Sequence, residues 1–315
     1  MTPSRSQFIL SFDCEGKWGM ASDPSMINSH AINDSSLQWA YKQIFESLQR
    51  FNIPASFGVV GLFAQDFAAF EAFNNAHGME PAYESWFQNP KTAFRAGRMD
   101  GWFYPTLIED IQRFKIHEVS SHSYTHLPFH NKIVTSETVE NELLLMNKFM
   151  QTKGVTLQSM IYPRNQVAHT DLLPKFGING YRDSSVSGSA YGSKIGTLVD
   201  EFNIFKKSSV HSQYEVPVKI PAGYFLNWQN GPRLIIPPTV TVKRFNHLLD
   251  HAEKIGGVVH MWLHPHNLIT GKNQVHLLNR VLQSVAQRQA QGLISVLTMG
   301  QYCQQFSTES TFPSL

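Results

Sequence analysis

The sequence predicts an α/β fold in which parallel strands close into a barrel. Strand-like and helix-like patterns alternate along most of the 315 residues, as they do where crossover helices join parallel strands. The alternation gives seven or eight units, which favours a barrel over an open sheet. Side chains with chemistry to offer also recur just after strand-like runs, where the working face of such a barrel lies.

The elements follow in order. Phe8 to Phe12 reads as a buried strand. Leu37, Tyr41, Ile44, Phe45, Leu48 and Phe51 recur at helical spacing, and Ser35 with Gln38 fits a capping box before them. "PASFGVVG" is a second strand, and "IHEVSS", behind a short helix around Leu107 to Phe114, is a third. Val139, Leu143, Met146 and Met150 mark a helix, with Glu137 and Glu140 well placed in its first turn. "SMIYP", "INGYRDS", "GGVVHMWL" and "LISVLT" supply further strands. Helices around Phe245 to Lys254 and Val275 to Gln289 separate the last of these, with Gly292 as a stop. Two segments break the rhythm: residues 64–106, rich in Phe, Trp and Asn, and residues 185–235, with Gly, Ser, Tyr and Trp228. Their aromatic content argues against disorder. Both read as long loop insertions on a single domain spanning residues 1–315.

Bulk composition narrows the function. Hydrophobic residues make up 42% and charged residues 16%, an ordinary globular balance. The net charge of +2 comes without a Lys/Arg run, which excludes a nucleic-acid or membrane-surface footprint. No apolar stretch approaches the roughly 20 residues needed to span a bilayer. The start, "MTPSRSQFILSF", lacks the apolar core and cleavage site of a secretory leader, so a cytoplasmic location is expected. Cys14 and Cys303 are the only cysteines, too few for a disulfide framework.

Why does the first strand run into "DCEG"? In extended backbone Asp13 and Glu15 point to one side and Cys14 to the other. After the third strand, "HSYTH" carries His122 and His126, which share a face on a helical turn and so reach one ion. "YPRN" puts Arg164 at the end of the fourth, and "WLHPHN" puts His264 and His266 at the end of a late one. His260, four residues before the strand end, reads as packed in the wall. Singly, each has a bland explanation: part-exposed histidines, a structural salt bridge, a loop histidine bonded to backbone. Their convergence on one rim outweighs those explanations. Two neutral imidazoles and one carboxylate make a three-ligand divalent site with open positions. Zn2+ is the first expectation, and Co2+, Ni2+ or Fe2+ also fit. A second carboxylate takes a proton from water, an arginine keeps it ionised and aimed, and a histidine opposite protonates a leaving group. That set hydrolyses an amide or ester.

These residues resemble the polysaccharide deacetylase (NodB-homology) family, carbohydrate esterase family 4. "SFDCEG", "HSYTH", "YPRNQ" and "WLHPH" are similar to its successive motifs, in order, from residue 8 to about 300. The resemblance implies a distorted (β/α) barrel of about seven parallel strands and metal-dependent removal of acetyl from a sugar. It implies Asp13 as base, His264 as acid, Arg164 as the residue orienting Asp13, and His122 and His126 as metal ligands. The third ligand falls to Glu15 by same-face geometry, with Cys14 as the alternative. Asp183, in "YRDSS", lies where the family's fourth motif would fall, and Val167 would offer a backbone N–H to an oxyanion. Among the tryptophans Trp18, Trp86, Trp102, Trp228 and Trp262, Trp18 is the expected sugar-stacking ring and Trp262 the expected pocket wall. The expected partner is an acetylated amino sugar, as a glycan or a precursor such as an O-antigen or capsule intermediate. Two alternatives remain: a cyclic amide hydrolase resembling allantoinase or imidases, and an inactive glycan-binding descendant.

Overall fold

The computed structural model describes residues 6–23, 29–184, 201–212 and 215–307. Its strands are β1 (Ser6–Cys14), β2 (Ser56–Val59), β3 (Glu118–Ser121), β4 (Ser159–Met160), β5 (Gly180–Arg182), β6 (Val218–Ile220), β7 (Tyr224–Phe225), β8 (Val258–Leu263) and β9 (Ile294–Leu297). The helices are α1 (Asp34–Phe51), α2 (Phe67–His77), α3 (Pro81–Trp86), α4 (Gln88–Arg95), α5 (Leu107–Gln112), α6 (Ser136–Thr152), α7 (Pro238–Ile255), α8 (His266–Thr270), α9 (Gln274–Ala290) and α10 (Met299–Ser307).

Among the described residues the nine strands form one sheet, in the order β6-β5-β4-β3-β2-β1-β8-β7, with β9 added on β1. Every pairing between these strands is parallel, and one isolated antiparallel bridge joins Ser209 to Val258 of β8. β1 is central: β8 runs along one edge, while β9 and then β2 share the other. All nine residues of β1 are buried, as in a strand covered on both faces, and its polar side chains Ser6, Gln7, Ser11 and Asp13 are each hydrogen-bonded inside the protein. The two end strands, β6 and β7, are consecutive in the chain, so the barrel is broken where residues 221–223 turn between them. Gly223, at φ 74°, makes that turn possible, because a Cβ there would lie 2.3 Å from the His260 carbonyl oxygen. The result is a distorted (β/α) barrel.

The expected helices form, with local differences. α1 buries Leu37, Tyr41, Ile44 and Leu48 as its spacing requires, but its cap lies two residues earlier than predicted. Asn33, not Ser35, accepts the Ser36 N–H at 2.9 Å, and the Ser36 hydroxyl accepts from the Asn33 N–H at 2.9 Å. Gly292 follows α9 in the left-handed conformation expected of a stop. Residues 64–106 contain α2, α3 and α4, which pack an aromatic layer over the turn after β1. Residues 185–235 are not purely loop: β6 and β7 lie within them and complete the sheet. At three and two residues, those strands are too short for periodicity to reveal. Among the described residues no helix is long and apolar enough to cross a membrane.

Candidate active site

β1 delivers two carboxylates to the end of the barrel. Asp13 and Glu15 are 3% and 6% exposed, while Cys14 turns into the hydrophobic core. Burial pushes the Cys14 thiol up, so it stays protonated and stands outside the cluster. Glu15 completes the group of possible ligands: one atom each of Glu15, His122 and His126 lie within 4.8 Å of one another. The close packing of Gly19 explains how Glu15 is held, since a Cβ there would sit 1.9 Å from Glu15 Oε1. Burial opposes ionisation of Glu15, but the surrounding imidazoles, His264 and His126 foremost and His122 with them, outweigh it. Its carboxyl is held well below the usual range.

The two histidines reach the site by a route the sequence did not indicate. Residues 122–126 are a loop, not a helical turn, and both Ser123 and His126 adopt φ 63°. The loop is clamped from α6 by Glu142, fully buried, whose carboxylate accepts the N–H groups of Tyr124 and Thr125 at 2.9 Å each and the Thr125 hydroxyl at 2.7 Å. His122 Nδ1 donates to the Ile161 carbonyl at 2.8 Å, which leaves Nε2 as the nitrogen facing Glu15 at 3.2 Å. In a neutral ring that nitrogen carries a lone pair, so lone pair meets carboxylate. His126 Nε2 lies 2.8 Å from Glu15 Oε2, yet among the described residues neither of its ring nitrogens makes a hydrogen bond. Buried polar atoms are rarely left so. A divalent cation among these three donors resolves both conflicts, and the donor set suits one.

Asp13 is held by an arginine, but a different one from that expected. Arg182, at the end of β5, forms a two-pronged pair with it: Nη1 to Oδ1 at 2.7 Å and Nη2 to Oδ2 at 2.6 Å. Ser11 Oγ accepts from Nη1 at 3.1 Å, and Asn165 Oδ1 accepts from Nε and Nη2 at 3.1 and 2.6 Å. The guanidinium rests on the Trp262 ring at 4.7 Å. Burial opposes ionisation of Asp13, and Arg182 overrides it and lowers the pKa. Arg164, the sequence-based choice, is exposed and lies 5.3 Å over the Trp86 ring, bonded to the Ser22 hydroxyl. It belongs to the loop after β4, whose left-handed residues Arg164 and Asn165 send Asn165, not Arg164, toward Arg182.

His264, beyond the end of β8, completes the ring of groups. Its Nε2 lies 3.8 Å from Asp13 Oδ2 and 3.5 Å from Glu15 Oε1, with the side chain 22% exposed. His266 stacks on it at 4.8 Å. Burial pushes His266 down to about 3 and the charge of His264 adds to this, so a neutral ring backs His264. His260 packs in the wall as expected: it meets Ser11 Oγ at 2.9 Å and donates to the Pro221 carbonyl at 2.6 Å.

Other expected residues lie elsewhere. Trp18 is 0% exposed, ringed by Phe70, Phe87, Phe94, Trp102 and Phe103, and donates to the Trp102 carbonyl at 2.8 Å. No sugar can stack on it, because the aromatic layer from residues 64–106 covers it. Asp183 follows Arg182, but among the described residues it bonds only to backbone, through Ile220 and Ser184, so the useful residue of "YRDSS" is its arginine. Val167 is half-buried, and its N–H has no partner among the described residues. Trp262 is half-buried, 5.7 Å from His264, and forms a wall of the site.

No protein-family model matches the sequence, and no curated protein gives a significant match. Solved structures do. A Mycobacterium smegmatis protein assigned to the polysaccharide deacetylases is 16% identical with a TM-score of 0.60, covering 100% of this chain and 97% of its own. The Xyl-CE4 domain of a multidomain xylanase from the hindgut metagenome of Trinervitermes trinervoides is 13% identical, TM-score 0.45, with 99% and 94% covered. A CE4 family pseudoenzyme from Bacillus anthracis is 12% identical, TM-score 0.45, with 96% and 66% covered. The chain has the NodB-like polysaccharide deacetylase fold, and at these identities the likeness is one of fold.

Proposed function

We propose that this chain is a metal-dependent hydrolase that removes an acetyl group from an amino sugar, in a glycan or a glycan precursor. The observation that carries the reading is the separation of two neighbouring carboxylates into different surroundings: Asp13 on Arg182, Glu15 on two histidines. Glu15, His122 and His126 would hold the ion, with Zn2+ first among Co2+, Ni2+ and Fe2+. When bound, such an ion polarises the acetyl carbonyl and acidifies a water.

The protein's own groups do the rest. Asp13, kept ionised by Arg182, takes the proton of the attacking water. Arg182 is a positioning residue, since its donors are spent on Asp13, Ser11 and Asn165. His264, close to both carboxylates and open to one side, gives a proton to the departing nitrogen. Val167 supplies an N–H to the oxyanion, and Trp262 lines the pocket.

A second reading, hydrolysis of a small cyclic amide, has one observation in its favour. The tryptophans nearest the site are buried or half-buried, so among the described residues no row of exposed tryptophan rings marks a groove for a long polymer. One experiment separates the two. Metal-loaded protein is given acetylated amino sugars and cyclic ureides, and acetate release is compared with ring opening. Acetate release is expected, stopped by a chelator and restored by zinc or cobalt. Asp13→Asn should lower turnover about 10²–10⁴-fold with metal content unchanged; undiminished turnover would remove Asp13 from the mechanism.

A further inference from the structure

We propose that the cavity beside the cluster is an anion subsite, in which Arg164 receives a phosphate or carboxylate carried by the sugar. The sugar rests on the hydrolase reading above, whereas the anion rests on the cavity alone. The cavity has a volume of ≈ 420 Å³, and its walls include Ser22, Trp86, His130, Asn131, Arg164 and Gln166. It neighbours the cluster across Trp86 and Leu127. The Trp86 ring lies 6.1 Å from the His126 ring, and Leu127, next to His126 in the chain, also faces the cavity.

Arg164 is held in place without being neutralised. Its guanidinium lies 5.3 Å over Trp86, which is itself fixed by donation from Nε1 to the Thr125 carbonyl at 3.0 Å. Its hydrogen-bond partner is the uncharged Ser22 hydroxyl. Among the described residues Arg164 makes no ion pair, and no carboxylate lines the cavity. An exposed arginine that serves only solubility needs neither a fixed platform nor unusual backbone. This one has both, for it sits at φ 57°, ψ 20°, a conformation costly for a side-chain-bearing residue and characteristic of working sites. A planar fork with unspent donors matches a phosphate or carboxylate with two parallel bonds. Asn131 and Gln166 add neutral amide donors on the same wall.

The test is calorimetric titration of the metal-loaded full chain with three sugars: N-acetylglucosamine 1-phosphate, N-acetylmuramic acid and neutral N-acetylglucosamine. At least one charged sugar should bind about tenfold or more tightly than the neutral one. Preference for the first assigns phosphate, and preference for the second assigns carboxylate. Arg164→Gln should abolish the preference while leaving affinity for the neutral sugar within about twofold. Equal binding of charged and neutral sugars, or a preference that survives Arg164→Gln, overturns the subsite. Acetate release without charge preference sinks the subsite alone. A charge preference lost in Arg164→Gln, without acetate release from any sugar, upholds the subsite and sinks the hydrolase reading.

Discussion

The floor of the site and the wall beside it use the same residue type in opposite ways. On the floor, Arg182 is 1% exposed, bonded to a carboxylate, a hydroxyl and an amide, and backed by Trp262. On the wall, Arg164 is exposed, touches one hydroxyl, and is backed by Trp86. Both arginines rest on an indole, so stacking does not distinguish them. The difference is whether the charge is already answered inside the protein. A buried charge must be answered by its own chain, because leaving it alone costs several kcal/mol. A charge at the surface has no such demand, and can be left for a ligand. The floor is thus over-determined and fixes the geometry of the chemistry, while the wall retains an unspent donor set.

The largest expected effect separates these two regions by stability. Arg182→Ala leaves Asp13 as an uncompensated buried carboxylate, and the loss should be about 3–5 kcal/mol, with activity falling in parallel. Arg164→Ala removes an exposed stacked cation, for which about 1 kcal/mol or less is expected. Denaturant melts of the two variants give both values. Similar losses would break the comparison.

Glu142 extends the floor to a second strand end, and its removal should have the next largest effect. In Glu142→Ala the N–H groups of Tyr124 and Thr125 and the Thr125 hydroxyl lose their acceptor inside the protein. Buried unsatisfied donors cost about 1–3 kcal/mol each, and water entering the new space recovers part of that, so a net loss of about 2–4 kcal/mol is expected. The loop presenting His122 and His126 would also lose its clamp, so zinc affinity should fall along with stability. Zinc affinity equal to wild type would mean that the loop holds its shape without Glu142.

Much of the floor could be read from sequence, because its carboxylates stand at the end of an apolar-rich run and alternation places Asp13 and Glu15 together. The His122 and His126 pair was also legible, although the reason given for it, a shared helical face, was not the one the loop uses. Glu142 carried a signal that went unused: it falls on the same face as Val139, Leu143 and Met146, where a carboxylate is costly unless something needs it. Arg182 carried one as well, as a charged residue at the end of the strand-like run "INGYRDS", where the other chemistry-bearing residues also stand. Which arginine meets Asp13 was not legible, since two neighbouring strand ends each offer one and the linear order gives no distances. The covering of Trp18 and the strands β6 and β7 were hidden too. The first depends on how α2 to α4 pack, and the second on pairings of three or fewer residues.

The smallest expected effect concerns pH, and it sharpens the contrast between the arginines. Asp13 has its pKa lowered in the fold against the opposing effect of burial, chiefly by Arg182. A folded pKa below the unfolded value of about 3.9 means that the native state binds fewer protons. The Asp13 contribution is then complete above about pH 4 and is lost as pH falls through the folded pKa. Arg182→Gln removes the main stabilising charge and leaves the desolvation. The shift should reverse: the contribution is then present below about pH 4 and lost as pH rises through the new, higher pKa. Melting temperatures between pH 3 and 6, each referred to the same protein carrying Asp13→Asn, isolate this group from Glu15. Wild type and Arg164→Gln should share one slope, and Arg182→Gln should have the opposite one. A common slope for all three would show that Asp13 is held by something other than the arginine at the end of β5.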